Sequence, residues 1–154
     1  MIAPDPHVLG PGLLPTPFTA EEIRDATGRG KTIQIRVDAP DGTHTSRVNR
    51  FSETDAEGAT LARWDADTPH DVAESRVTWL DLQHHAAFEA ATTTVSTEQL
   101  ALELGDLMCL RYSTADGTFW FSLAHPGMPV RFEAGGFRTT VVAVELHPDV
   151  GSPA

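Results

Sequence analysis

From Leu100 onward the chain repeats one local pattern: a short apolar stretch, a Gly-containing turn, and another short apolar stretch. Leu100, Leu102 and Leu104 alternate up to Gly105-Asp106, and Leu107 to Ser113 follows. Ala115-Asp116-Gly117 leads into Thr118 to Leu123, His125-Pro126-Gly127 into Val130 to Glu133, and Gly135-Gly136 into Phe137 to Leu146. Turns this short join strands that run antiparallel, because a parallel return needs a crossover of a dozen residues or more. A parallel doubly wound fold is therefore disfavoured, and the chain is constrained to successive hairpins.

The first half carries the same grammar more weakly. Thr19-Ala20-Glu21-Glu22 has capping-box spacing and predicts a short helix from about 20 to 27, stopped at Gly28. Ile33, Ile35 and Val37 then alternate with Gln34, Arg36 and Asp38, which is the period of a half-buried strand. Pro40-Asp41-Gly42 turns it back, because Pro presets φ and Gly accepts positive φ. Return strands follow over 43–53 and 59–66, separated by a turn from Asp55 to Gly58. After a polar break at 67–74, apolar residues between Val77 and Phe88 gather on one side of a helical wheel, with Thr78 placed to cap it. The fold class predicted is α+β: a curved, mostly antiparallel, half-barrel-like sheet of about eight strands with one or two short helices packed on it.

Residues 1–17 hold five prolines and two glycines, a composition that predicts an extended arm. A single α+β domain is expected over 18–147 and a fraying tail over 148–154. The chain's 154 residues suffice for one core without staples, and Cys109, the sole cysteine, cannot form an internal disulfide. The opening residues lack a basic region followed by an apolar one, and no apolar run reaches membrane-spanning length, so the expectation is a cytoplasmic protein without membrane insertion. A formal charge of -11 opposes nucleic acid as a partner.

Seven histidines invite a metal or catalytic reading, but none has metal-ligand spacing: His84 and His85 lie about 100° apart on a helix. Asp81 and His85, four residues apart, are expected to face solvent together as a surface pair. Cys109 lies mid-strand, where a thiol is normally buried and inert, and no serine has a nucleophile-elbow context. Gly28-Arg29-Gly30-Lys31-Thr32 follows a helix and precedes a strand, the reverse of a phosphate-binding loop. No cofactor, metal site or catalytic residue is expected, and an enzyme is the less favoured reading.

Aromatic residues are more informative. In Thr118-Phe119-Trp120-Phe121-Ser122 both faces of the strand are bulky, so both must be covered, by protein or by an apolar ligand. Trp64, Tyr112, Trp120, Phe121 and Phe132 are the candidate ligand-lining residues, with His84 at a pocket edge.

Leu104 to Tyr112, then Phe119-Trp120-Phe121, then Pro126-Gly127-Met128-Pro129-Val130-Arg131-Phe132-Glu133 form a pattern that resembles the LolA/LolB-like group of lipoprotein carriers and lipid-binding lipoproteins. The resemblance covers about the last third of the chain. It implies an unclosed half-barrel over helices whose concave face holds acyl chains or other apolar ligands. The function expected is non-enzymatic binding of a small apolar or amphipathic, lipid-like molecule. The alternative is a protein-interaction module, a homodimer among its forms, without a small-molecule ligand.

Overall fold

The structure is a computed structural model that describes residues 5–146, so the tail expected at 148–154 lies outside the described residues. Nine strands form one open antiparallel sheet: β1 (Thr32–Asp38), β2 (His44–Thr54), β3 (Gly58–Asp65), β4 (Ala73–Thr78), β5 (Thr94–Leu102), β6 (Gly105–Ser113), β7 (Thr118–Ser122), β8 (Arg131–Ala134) and β9 (Phe137–Glu145). Two helices, α1 (Ala20–Ala26) and α2 (Trp79–His84), complete the fold.

The strand order is β4-β3-β2-β1-β9-β8-β7-β6-β5. The chain is thus two meanders joined where β1 pairs with β9, which places the two chain halves side by side and leaves β4 and β5 as edges. The expected count of about eight strands falls one short because of β4. Its sequence, Ala-Glu-Ser-Arg-Val-Thr, is polar at an exposed edge, so the alternation that marks a half-buried strand is absent.

Two irregularities aim the core. Pairing between β1 and β9 shifts register between Gln34 and Ile35, so that Val144 lies opposite Ile33 and Val141 opposite Ile35. A regular strand would send residues three apart to opposite faces; the bulge lets both valines face the helices. A similar shift between Phe51 and Glu53 relocates the polar end of β2 without disturbing Phe51 opposite Leu61.

Both helices start on capping boxes. Thr19 Oγ1 accepts from Glu22 N while Glu22 accepts from Thr19 N, and Thr78 and Asp81 do the same for α2. The helix expected to run to Phe88 stops at His84. The chain then leaves helical geometry, the Phe88 carbonyl accepts from Leu14 N at 2.8 Å, and the Phe88 ring stacks on Tyr112 at 5.0 Å.

One buried cluster joins Ile23 of α1 and Trp79 of α2 to Phe51 and Leu61 at one end of the sheet and Tyr112 and Phe121 toward the other. Gln83 ties the helices to the N-terminal segment. Its Nε2 donates to Pro6 O at 2.8 Å and to Thr16 Oγ1 at 3.0 Å, and its Oε1 accepts from Ala20 N at 2.8 Å. Residues 5–17 hold no helix or regular strand, as the composition implies, yet they are folded against the body, with Thr16 and Pro17 buried beside Phe18. A second, smaller cluster of Leu100, Cys109, Trp120 and Val130 covers part of the sheet's other face.

Candidate functional site

Between the helices and the β1–β4 and β9 part of the sheet lies a cavity of about 350 Å³. The sheet provides Ile33, Phe51, Leu61, Val77, Val141 and Val144, all on the helix-facing side. Ile23 of α1 and Leu82 of α2 form the opposing wall. The loop after β7 closes one end with His125, Pro126, Gly127 and Met128; Gly127 has φ 131°, a conformation that the turn requires and a side chain would resist.

The ionisable groups reaching this cavity are all basic. Lys31, Arg63, His85 and His125 line it, with Thr27, Asn49 and Ser75, and no Asp or Glu does. In a chain where acidic residues outnumber Lys and Arg by 22 to 11, this reverses the overall charge balance. Lys31 is buried; its Nζ donates to Ala26 O at 3.3 Å and has no carboxylate partner among the described residues. Burial pushes its ammonium below the usual lysine range.

His125 is half-buried, and its pKa is lowered first by burial and then by the nearby Lys31 charge. A lowered histidine pKa means that the folded state holds fewer protons than the unfolded state around and below pH 6.5. The His125 contribution is thus complete above that pH and is lost as the pH falls through it. Lys31 faces His125 from the start of β1, and Asp25 faces it across a neighbouring groove lined by both. We expect urea stability to decline on acidification from pH 7 toward pH 5, with a shallower decline in His125→Gln; equal slopes in the two proteins would contradict the assignment.

The six residues singled out from the sequence fall elsewhere. Tyr112 and Phe121 are buried on the helix-facing side, where Phe88 covers them, and the Tyr112 hydroxyl donates to Pro15 O at 3.4 Å. Phe132 stacks on Phe119 with centroids 5.9 Å apart. These three belong to one aromatic cluster, and none of them lines the cavity. Trp120 points to the other face, under Arg111, and its Nε1 donates to Glu98 Oε1 at 3.3 Å. Trp64 is half-buried and follows cavity-lining Arg63, so it too faces away. His84 is exposed at the last residue of α2, whereas its neighbour His85 lines the cavity. The both-faces-bulky strand β7 is covered by protein on both sides.

Asp81 does not pair with His85 through its side chain; its carboxylate is committed to the Thr78 cap. Lys31 carried a readable signal, since it shares the parity of Ile33 and Ile35 and so belongs to the inward face. Arg63 and Asn49 are legible only once β2 and β3 are in register.

Other chemistry is thinly provided. Burial, followed by the Glu98 charge, pushes the Cys109 thiol up, away from a reactive thiolate. Among the described residues no group of three His, Cys, Asp or Glu side chains is placed to hold a metal ion, and no helix is long and apolar enough to cross a membrane. No known protein-family model matches the chain, and no curated protein matches its sequence.

Proposed function

We propose that this protein binds a small apolar or amphipathic molecule, without transforming it, in the cavity between its helices and a curved, half-barrel-like sheet. The cavity carries the reading: about 350 Å³, walled mainly by Ile, Leu, Val, Met and Phe, with a handful of polar groups at its margin. That volume is within the range of small-molecule sites and, at about 30 Å³ for each water-sized group, accommodates roughly a dozen heavy atoms. A single buried cluster that includes Leu61 of β3, both helices and Tyr112 of β6 supports a curved sheet. The resemblance to the LolA/LolB-like group agrees with this reading in both architecture and ligand character, although the site lies in the first meander and β9 rather than on the aromatic strand. A titration with a neutral naphthylamine dye tests it. One dye per chain, with enhanced blue-shifted emission, is expected; emission unchanged from buffer would contradict the proposal.

The open edge of β5 supports a second reading, self-association through strand pairing. Its nine residues include no Lys or Pro to discourage edge pairing, and Val95 is exposed. Sedimentation at the mass of a single chain across micromolar concentrations would remove it.

A further inference from the structure

The cavity's apolar walls define only half of a ligand; its polar margin defines the other half. Asn49 lies directly opposite Arg63 in the β2–β3 pair and opposite Ile33 in the β1–β2 pair. Lys31 precedes Ile33 by two residues on the same face, and its carbonyl accepts from Phe51 N at 2.9 Å. Lys31, Asn49 and Arg63 therefore run as a diagonal stripe across three adjacent strands, all lining the cavity. Directly opposite residues on one face have Cβ atoms about 4.5–5.5 Å apart, and diagonal neighbours are still within reach of long side chains.

Two members of the stripe, Lys31 and Asn49, lack a partner that their burial calls for. Lys31 is a buried cation bonded only to a main-chain carbonyl, with no carboxylate partner among the described residues. Arg63 makes no ion pair or side-chain hydrogen bond among the described residues. Asn49 Oδ1 is buried with no hydrogen-bond donor. Buried cations are normally paired, so the buried Lys31, with the exposed and unpaired Arg63 guanidinium on the same face of the cavity, marks a place for an outside group.

We infer that the ligand is an amphipathic anion whose acid group sits on the Lys31–Asn49–Arg63 stripe while its apolar body fills the space against Ile33, Leu61 and Val141. This rests on the binding reading above and specifies the ligand class. An acid group supplies charge to both cations and can accept from the Asn49 Nδ2–H, which a wholly apolar molecule cannot. Arg presents a planar fork matched to two oxygens, and Lys adds a point charge.

The test compares three ligands of equal length by calorimetry at pH 7.5: decanoate, decanol and decylammonium. Each has about the dozen heavy atoms that the volume allows. We expect decanoate to bind at least tenfold more tightly than decanol, and decylammonium more weakly than either. Arg63→Gln and Lys31→Gln should each remove most of the advantage of decanoate over decanol. Arg63 is exposed, so its variant tests recognition without disturbing the core. Decanol binding as tightly as decanoate, or decylammonium tightest, would overturn the anion assignment while leaving the cavity as a binding site. No binding by any of the three would overturn the binding reading itself, and this inference with it.

Discussion

Phe121→Ala is expected to lower stability by about 3–5 kcal/mol, the usual cost of emptying a large buried aromatic position. Phe121 is 2% exposed and sits on β7 where the N-terminal segment and the stretch after α2 pack on the second meander. Its ring lies edge-on to Phe18 at 6.4 Å, to Phe88 at 6.3 Å and to Tyr112 at 5.6 Å. Removing the ring strips a shared partner from three others, each fixed by its own backbone: Phe18 beside the capped start of α1, Phe88 by the Leu14 bond, and Tyr112 by its pairing with Phe119. The surroundings are thus poorly able to collapse into the void, which puts the cost toward the upper part of that range. Urea unfolding followed by tryptophan fluorescence measures it. A loss below about 1.5 kcal/mol, the scale of a volume-conserving swap, would mean that this region is not the tightly packed centre described here.

The second large effect is on binding. Val77→Trp should reduce dye affinity at least tenfold. Val77 is half-buried on the edge strand β4, lines the cavity and has only one neighbouring strand, so an indole there can enter the cavity without forcing two strands apart. Overpacking of this kind costs about 1–3 kcal/mol, and less where the backbone can yield at an edge. The control is Trp120→Phe, which alters a large aromatic on the other face and should leave dye affinity unchanged. If Trp120→Phe abolished binding and Val77→Trp did not, the site would lie on the outer face and the cavity would be a packing defect.

The contrast between those two variants shows what local sequence pattern can and cannot reveal here. Hairpins from Leu100 onward were legible because short apolar stretches are separated by Gly at or beside each turn. Both helix starts were legible because Thr19 with Glu22, and Thr78 with Asp81, satisfy free N–H groups through contacts three residues apart. The register of the β5–β6 hairpin was less so: the turn falls at Glu103-Leu104, just before Gly105, because Gly105 takes positive φ (138°) as the first residue of β6 rather than within the turn. β4 escaped because an exposed edge needs no apolar face.

The cavity was hidden for a different reason. Its walls come from β1 to β4 and from β9, brought together by a pairing between residues more than one hundred positions apart, such as Ile33 with Val144. A bulge decides that both Val141 and Val144 face inward, and nothing in the local pattern announces it. Aromatic density drew attention to β6 and β7, where the rings of Tyr112, Phe119, Phe121 and Phe132 pack against one another and against Phe88 rather than line the cavity. Space remained where Ile, Val and Leu face Lys31, Asn49 and Arg63, on strands whose polar inward residues interrupt the packing.

Native mass spectrometry tests the central claim, that this cavity holds a small molecule, most directly. Protein purified under mild conditions and incubated with an organic extract of cells should carry the mass of one small molecule per chain. That excess should disappear on denaturation and be absent from Val77→Trp treated in the same way. A chain that stays at its bare mass throughout, or an excess that persists in the blocked variant, would contradict the account.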